Sequence, residues 1–317
     1  MLLELVHRRS EERPFERYWL PQLERGGVGL QVCPVFVGIE DLPENALRRA
    51  VEAVAAFNRA LRECDRVAPV RSAADLDSLD GRIGLLLSLE GVEPLGYDPE
   101  AADVFWELGA RMFALTWNRR NAFADGLGEP AGGGLSRLGE QLVDRLVGLG
   151  AILDLAHASE ATFEQVLARA PDAAVLVSHA ACRSLCDTPR NLSGAQLEAI
   201  AGRDGVLGVM MLPAVLGRDA TVETVVDHVD HAVSVMGIEH VAIGGDFIRQ
   251  VHRAVGPGRP DAIIGATADL DAAVPGLAGV EDYPALVAAL RARGYVGERL
   301  DAILSGNLLR LLRRALP

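Results

Sequence analysis

Four side chains whose types and positions could do chemistry stand out, each at the end of a largely apolar run. Glu90 ends IGLLLSLEG, His157 ends AILDLAH, His179 ends AAVLVSH and Asp246 ends HVAIGGDF. Two carboxylates and two imidazoles form a donor set suited to zinc or a similar divalent metal. A carboxylate placed straight after a buried strand costs several kcal/mol unless it is paired or metal-bound. Either histidine alone reads equally well as a strand cap bonding a backbone carbonyl. Two in register, joined by two acids at corresponding places, shift the balance to a shared site. The ends of strands at one rim are where barrel and open-sheet enzymes keep their reactive groups.

The elements that must position them follow from periodicity. Ala151 to Asn191 reads as strand, helix, strand, with Ser159 as N-cap and the helix closing near Ala170. The two strands are expected to be parallel neighbours joined by a right-handed crossover. Elsewhere the pattern predicts helices over 15–26, 43–67, 99–109, 135–148, 196–203, 221–236, 282–293 and 300–316, the last broken near Ser305-Gly306. It predicts strands over 28–38, 83–90 and 111–117, in GVLGVMMLP, and up to Asp246. Seven strands alternate with helices, one short of a closed (β/α)8 barrel, and the missing one is expected to be the first. NRRNAFADGLGEPAGGG is a Gly-rich loop able to fold over a site, and Ile248 to Glu281 reads as a lid. With no repeat and no linker, residues 1–317 read as one domain.

Composition narrows the function classes. The net charge of −13, without a basic run beyond Arg119-Arg120 and Arg313-Arg314, argues against nucleic acid. All 31 basic residues are arginine, which removes lysine-dependent phosphate loops, Schiff bases and a carboxylated lysine as a metal bridge. Glu90 would then be the natural bridge between two metals. Cys33, Cys64, Cys182 and Cys186 lack zinc-finger spacing and disulfide density, so they are expected to be reduced thiols of a cytoplasmic protein. No secretory signal or bilayer-spanning run is visible, and no membrane partner is expected. His228 and His231, in DHVDHAVSVMG, read as a solvated helix face; His240 precedes its strand and belongs to the opposite rim, and His252 falls in the lid. Arg190, taken alone, reads as a surface salt bridge. Trp117, followed by Asn118 and the Gly-rich loop, reads either as core packing or as pocket wall. Ser136 is not in a G-x-S-x-G turn, so a serine hydrolase is unsupported.

Together, DLAHASEATFEQV, VSHAACRSL with DTPRNLS, LSLEGVEPLG, ALTWNRRNAFADG, HVAIGGDF and SGNLLRLLRR resemble the membrane (renal-type) dipeptidase family of metallopeptidases, in the amidohydrolase superfamily. The resemblance implies a TIM-type (β/α)8 barrel and a two-zinc site that hydrolyses dipeptides by a metal-bound hydroxide, often with a D-residue at the C-terminal position. It implies Glu90 as the bridging carboxylate, His157 and His179 as the other ligands of one zinc, and Asp246 as ligand of the second and proton shuttle. Arg190 would bind the substrate's C-terminal carboxylate, with Trp117 and Asn118 in the substrate pocket. Trp117 stands where many members carry a histidine. The family's first strand ends in a His-x-Asp pair for which the chain supplies no counterpart; a truncated start is expected in preference to a natural loss, and one metal site would be incomplete. A homodimer is expected from the family's habit. Two other readings are a metal-depleted binding protein and an amidohydrolase acting on a non-peptide amide or lactam.

Overall fold

Parallel strands alternate with helices in the computed structural model, which describes residues 10–129, 132–247 and 272–317. The fold class is α/β, of the TIM-type read from the sequence. The described residues pack as two units, one of 29–129, 132–175 and 312–317, the other of 10–28, 176–247 and 272–311.

The first unit holds β1 (Leu30–Phe36), β2 (Val67–Pro69), β3 (Ile83–Glu90), β4 (Ala110–Ala114) and β5 (Ile152–Asp154), every pairing among them parallel. Strand β3 is its spine. All of its residues but the last are buried, and at roughly 2 kcal/mol for each leucine removed from water, any slip in register would be costly. That register sets Phe36 and Ala114 beside Glu90. β2 was not expected. The sequence reads as helix through Val67, but the helix ends at Glu63, Cys64 turns extended, and Val67 and Ala68 pair with Ile83 and Gly84. β2 and β4 meet successive stretches of β3, at Ile83–Leu85 and Leu87–Glu90. Helices Ala46–Glu63, Arg137–Leu149 and Glu160–Arg169 accompany these strands, and Ser136 and Ser159 cap the last two by accepting from Gly139 N and Thr162 N.

In the second unit β6 (Val175–Ala180), β7 (Val206–Val209) and β8 (Val241–Ile243) run parallel in that order. The β6–β7 ladder slips between Val177 and Ala180. Within it the Ser178 carbonyl lies against two glycines: a Cβ at Gly208 or at Gly244 would lie 2.1 Å from Ser178 O. Helices Gly194–Ala201 and Val222–Met236 open with capping boxes at Ser193 and Thr221. The last helix breaks where predicted, Glu298–Asp301 passing through a π turn at Ala302–Gly306 into Asn307–Ala315. Asn307 pins the break, its Nδ2 donating to Ile238 O and Val241 O, both at 2.7 Å.

His228 corrects the sequence reading. It is 0% exposed, not on a solvated face. The buried stripe of its helix is Val225, Val226, Val229, Ala232 and Met236, and at 3.6 residues per turn position 228 falls inside it. Burial holds the imidazole below its usual range, and the neutral ring's Nδ1 accepts from Cys182 N at 3.0 Å. The cysteines are free, and burial pushes the Cys182 thiol up to about 12. Among the described residues no helix is long and apolar enough to cross a membrane. His7, His252 and residues 248–271 of the expected Ile248–Glu281 lid lie outside the described residues; its remainder holds a bridge between Val274 and Leu277 and a 3-10 turn from Val280.

Candidate functional site

In the first unit the chain leaves β5 through a turn closed by Asp154, whose Oδ1 accepts from Ala156 N at 3.0 Å. His157 follows with φ 65°, in the left-handed region that histidine enters more readily than most residues. Its carbonyl is held by Leu127 N at 2.9 Å and Thr116 Oγ1 at 3.2 Å. Its ring is held too. Nδ1 lies 2.6 Å from Asn118 Oδ1, and Nε2 lies 3.1 Å from Glu90 Oε1. An amide oxygen only accepts, so Nδ1 carries the proton. Nε2 and the carboxylate oxygen then face each other as two lone pairs unless a cation, a proton or a metal ion, joins them. This is the arrangement that fixes the tautomer of a metal-ligating histidine.

In the second unit His179 sits at the slip in the β6–β7 ladder, with Nδ1 2.7 Å from Ser178 Oγ and Nε2 3.9 Å from Asp246 Oδ2. A bulge commonly re-aims a side chain at a functional site. Asp246 follows Gly244-Gly245 with φ 50°, a second left-handed residue. Met211 N binds Gly245 O at 3.2 Å, and the Phe247 and Tyr283 rings pack at 5.7 Å. A small hollow beside Asp246 is lined by Met211, Leu212, Pro213 and Phe247.

Arg190 is 3% exposed, which removes the surface salt-bridge reading. Its loop is tied down by Asn191, whose Oδ1 accepts from Ala181 N at 3.1 Å and whose Nδ2 donates to Cys186 O at 2.8 Å and Val215 O at 2.7 Å. Asn118 is 1% exposed and engaged with the His157 ring, an orienting contact. Trp117 is half-buried. Its ring centroid lies 5.6 Å from that of His157 and 5.0 Å from that of Phe36, and the Arg119 guanidinium sits over it at 5.0 Å. Burial pushes the nearby Glu93 carboxyl up, against the opposing charge of Arg119. The Gly-rich loop is braced by Asp125, held below the usual carboxylate range first by its hydrogen bonds from Arg120.

Sequence reasoning missed three of these roles. Ser178 gave no signal beyond preceding His179, Phe36 was only one apolar residue of the predicted strand 28–38, and the use of Asn118 against a ring nitrogen has no local signature.

Each unit therefore pairs an imidazole Nε2 with a carboxylate oxygen at a strand end, while Nδ1 is occupied by a neighbour. Such N/O donor sets on a TIM-type fold define the class of metal-dependent barrel enzymes. The model of the membrane dipeptidase family (peptidase family M19) matches residues 7–256, and the chain belongs to that family. It is 31% identical over 304 residues to dipeptidase 3 of Rattus norvegicus, covering 93% of this chain and 58% of that protein. It is 30% identical over 311 residues to dipeptidase aclJ of Aspergillus oryzae, covering 92% of this chain and 68% of that one. Thus the chain spans little more than half the length of the rat relative. Among solved structures it resembles dipeptidase AC, a family M19 metallopeptidase, with TM-score 0.85, 26% identity and coverage of 100% of this chain and 96% of that one. It also resembles a Rhodobacter sphaeroides metallopeptidase liganded with a phosphinate mimic of L-Ala-D-Ala, with TM-score 0.85, 25% identity and coverage of 99% and 97%.

Proposed function

We propose that this chain hydrolyses dipeptides with a divalent metal, zinc, held by Glu90, His157, His179 and Asp246. The observation that carries the reading is the Asn118–His157–Glu90 relay. A ring whose Nδ1 proton is spoken for presents Nε2 to a carboxylate 3.1 Å away, a pairing completed by a cation. The donor set fits such an ion, with two imidazole nitrogens, carboxylate oxygens and no thiolate. A metal bound there would lower the pKa of water and polarise the scissile carbonyl.

The chain's own residues do the rest. Asp246, partly exposed at its strand end, takes a proton from the attacking water and returns it to the departing amine. The buried Arg190 offers a planar fork of donors to the substrate's C-terminal carboxylate. Trp117 walls the pocket beside His157. A D-residue at the C-terminal position is part of the reading, supported by the L-Ala-D-Ala mimic bound to the Rhodobacter relative. A cytoplasmic homodimer belongs to it as well, and sedimentation would measure that assembly.

The test is a screen of the zinc-loaded chain against dipeptides with L- or D-residues at the C-terminus. Hydrolysis is expected, falling at least 100-fold in Asp246→Asn, since general acid–base catalysis contributes about 10²–10⁴-fold. Arg190→Met should act mainly by raising KM. No cleavage of either configuration, or full activity in Asp246→Asn, would defeat the proposal.

A further inference from the structure

Phe36 closes β1 and is the residue registered beside Glu90 in the parallel β1–β3 pair. Paired residues of parallel strands share a face of the sheet, so Phe36 stands on the side to which Glu90 points. It is 42% exposed, among the larger exposures of any big apolar side chain described. Its ring touches Trp117 with centroids 5.0 Å apart and planes tilted by 57°, and Trp117 meets His157 at 5.6 Å and 31°. The three rings form a continuous strip running from an exposed phenylalanine to the imidazole that faces Glu90.

Its middle ring is braced from behind. The Arg119 guanidinium lies 5.0 Å from the Trp117 centroid, and Glu93, half-buried in the turn after β3, opposes the arginine's charge. The turn itself is tied to β4 by Gly91 N to Ala114 O at 3.1 Å and Val92 N to Leu115 O at 3.4 Å. A Cβ at Gly91 would come within 3.3 Å of Trp117 N and 2.3 Å of a Glu93 carboxylate oxygen, and φ there is +88°, so glycine lets the turn pack this closely. A cation stacked on one side of an indole leaves its other contacts to set the ring's place. Trp117 is thus contacted by Phe36, His157 and Arg119.

We infer that Phe36 and Trp117 form an apolar wall that receives one side chain of the dipeptide and selects apolar or aromatic residues there. The inference rests on the metal-dipeptidase reading above. An exposed phenylalanine stacked on a half-buried tryptophan that abuts a candidate metal ligand is continuous with the place where the scissile bond must lie. The Arg119 guanidinium stacked on Trp117 is opposed by Glu93, and Glu90 lies beside Phe36, so the wall's surroundings offer an acidic side chain little attraction. The wall carries no hydrogen-bonding group of its own beyond the indole N–H, so it discriminates by contact area and shape, a mode worth about tenfold to a hundredfold between small and large apolar groups.

The experiment measures kcat/KM for the zinc-loaded chain on a matrix of dipeptides carrying Gly, Leu, Phe or Asp at each position. At one position Leu and Phe should exceed Gly and Asp by about tenfold or more. Phe36→Asp should reduce that ratio by about tenfold, chiefly through KM, and Phe36→Leu should restore most of it. Because Phe36 is exposed, both variants should unfold at the wild-type temperature, which separates a contact effect from misfolding. A matrix that is flat at both positions, or a preference that survives Phe36→Asp, overturns the inference while the dipeptidase reading stands. Absence of any dipeptide cleavage overturns both.

Discussion

His157 and Asp246 share a backbone property with few non-glycine residues in the chain, φ of 65° and 50°. Left-handed backbone costs an L-residue roughly 1–2 kcal/mol, less where a short polar side chain bonds locally. Surroundings that hold two such residues at strand ends are characteristic of functional sites. At His157 the hold is specific: the carbonyl is fixed by Leu127 and Thr116, and the ring by Asn118. Asn118→Ala should therefore weaken zinc binding about 10–100-fold in a chelator competition, and Asn118→Asp, which still accepts from Nδ1, should keep more of it. Equal zinc affinity in wild type and Asn118→Ala would show that the amide does not orient the ligand. The four ligand candidates were legible because a charged or basic group after a buried strand contradicts its surroundings. Strain at His157 and Asp246 was not, since φ leaves no mark in residue type when histidine or aspartate occupies the position. The polar spelling DHVDH concealed a buried histidine, because 228 lies within the Val225–Met236 stripe only when the helix phase is followed residue by residue.

At the scale of elements, the β6–β7 irregularity shows why glycine recurs at Gly208 and Gly244. Both face the Ser178 carbonyl, in the stretch where the ladder slips, at a distance no Cβ could occupy. Gly208→Ala must move backbone, not a flexible side-chain tip. Its expected cost is about 1–3 kcal/mol in urea denaturation, together with displacement of the neighbouring His179. A Gly208→Ala chain as stable as wild type would mean that β6 can relax without loss, and that the bulge does not fix the histidine. Seven strands were readable from their apolar runs, and the break at Ser305-Gly306 from its own residues. β2 was not, for a physical reason: three residues, Val67 to Pro69, are too few to show a period of two, and they follow directly on an Ala/Arg-rich helix. The lengths of β4 and β5 were overread because apolar character continues beyond the ladder, through Leu115 and through Leu155-Ala156, into buried loop.

For the molecule as a whole, an acidic chain with arginine as its sole strong base has few ways to perform hydrolysis. It has no lysine nucleophile or lysine bridge, and its Cys182 thiol is held protonated by burial. Imidazoles and carboxylates at strand ends remain, the donor types that a divalent metal takes. The family and the fold class were both legible in the order of the motifs, because four of them set a histidine or an acid at or just beyond the end of a strand. The most direct test strips the protein with a chelator, adds zinc back in steps and follows the initial rate of dipeptide cleavage. The account predicts an inert stripped protein whose rate rises saturably with zinc, and little recovery in His157→Ala. A cleavage rate indifferent to stripping, or zinc bound tightly with no cleavage at any level, would contradict it.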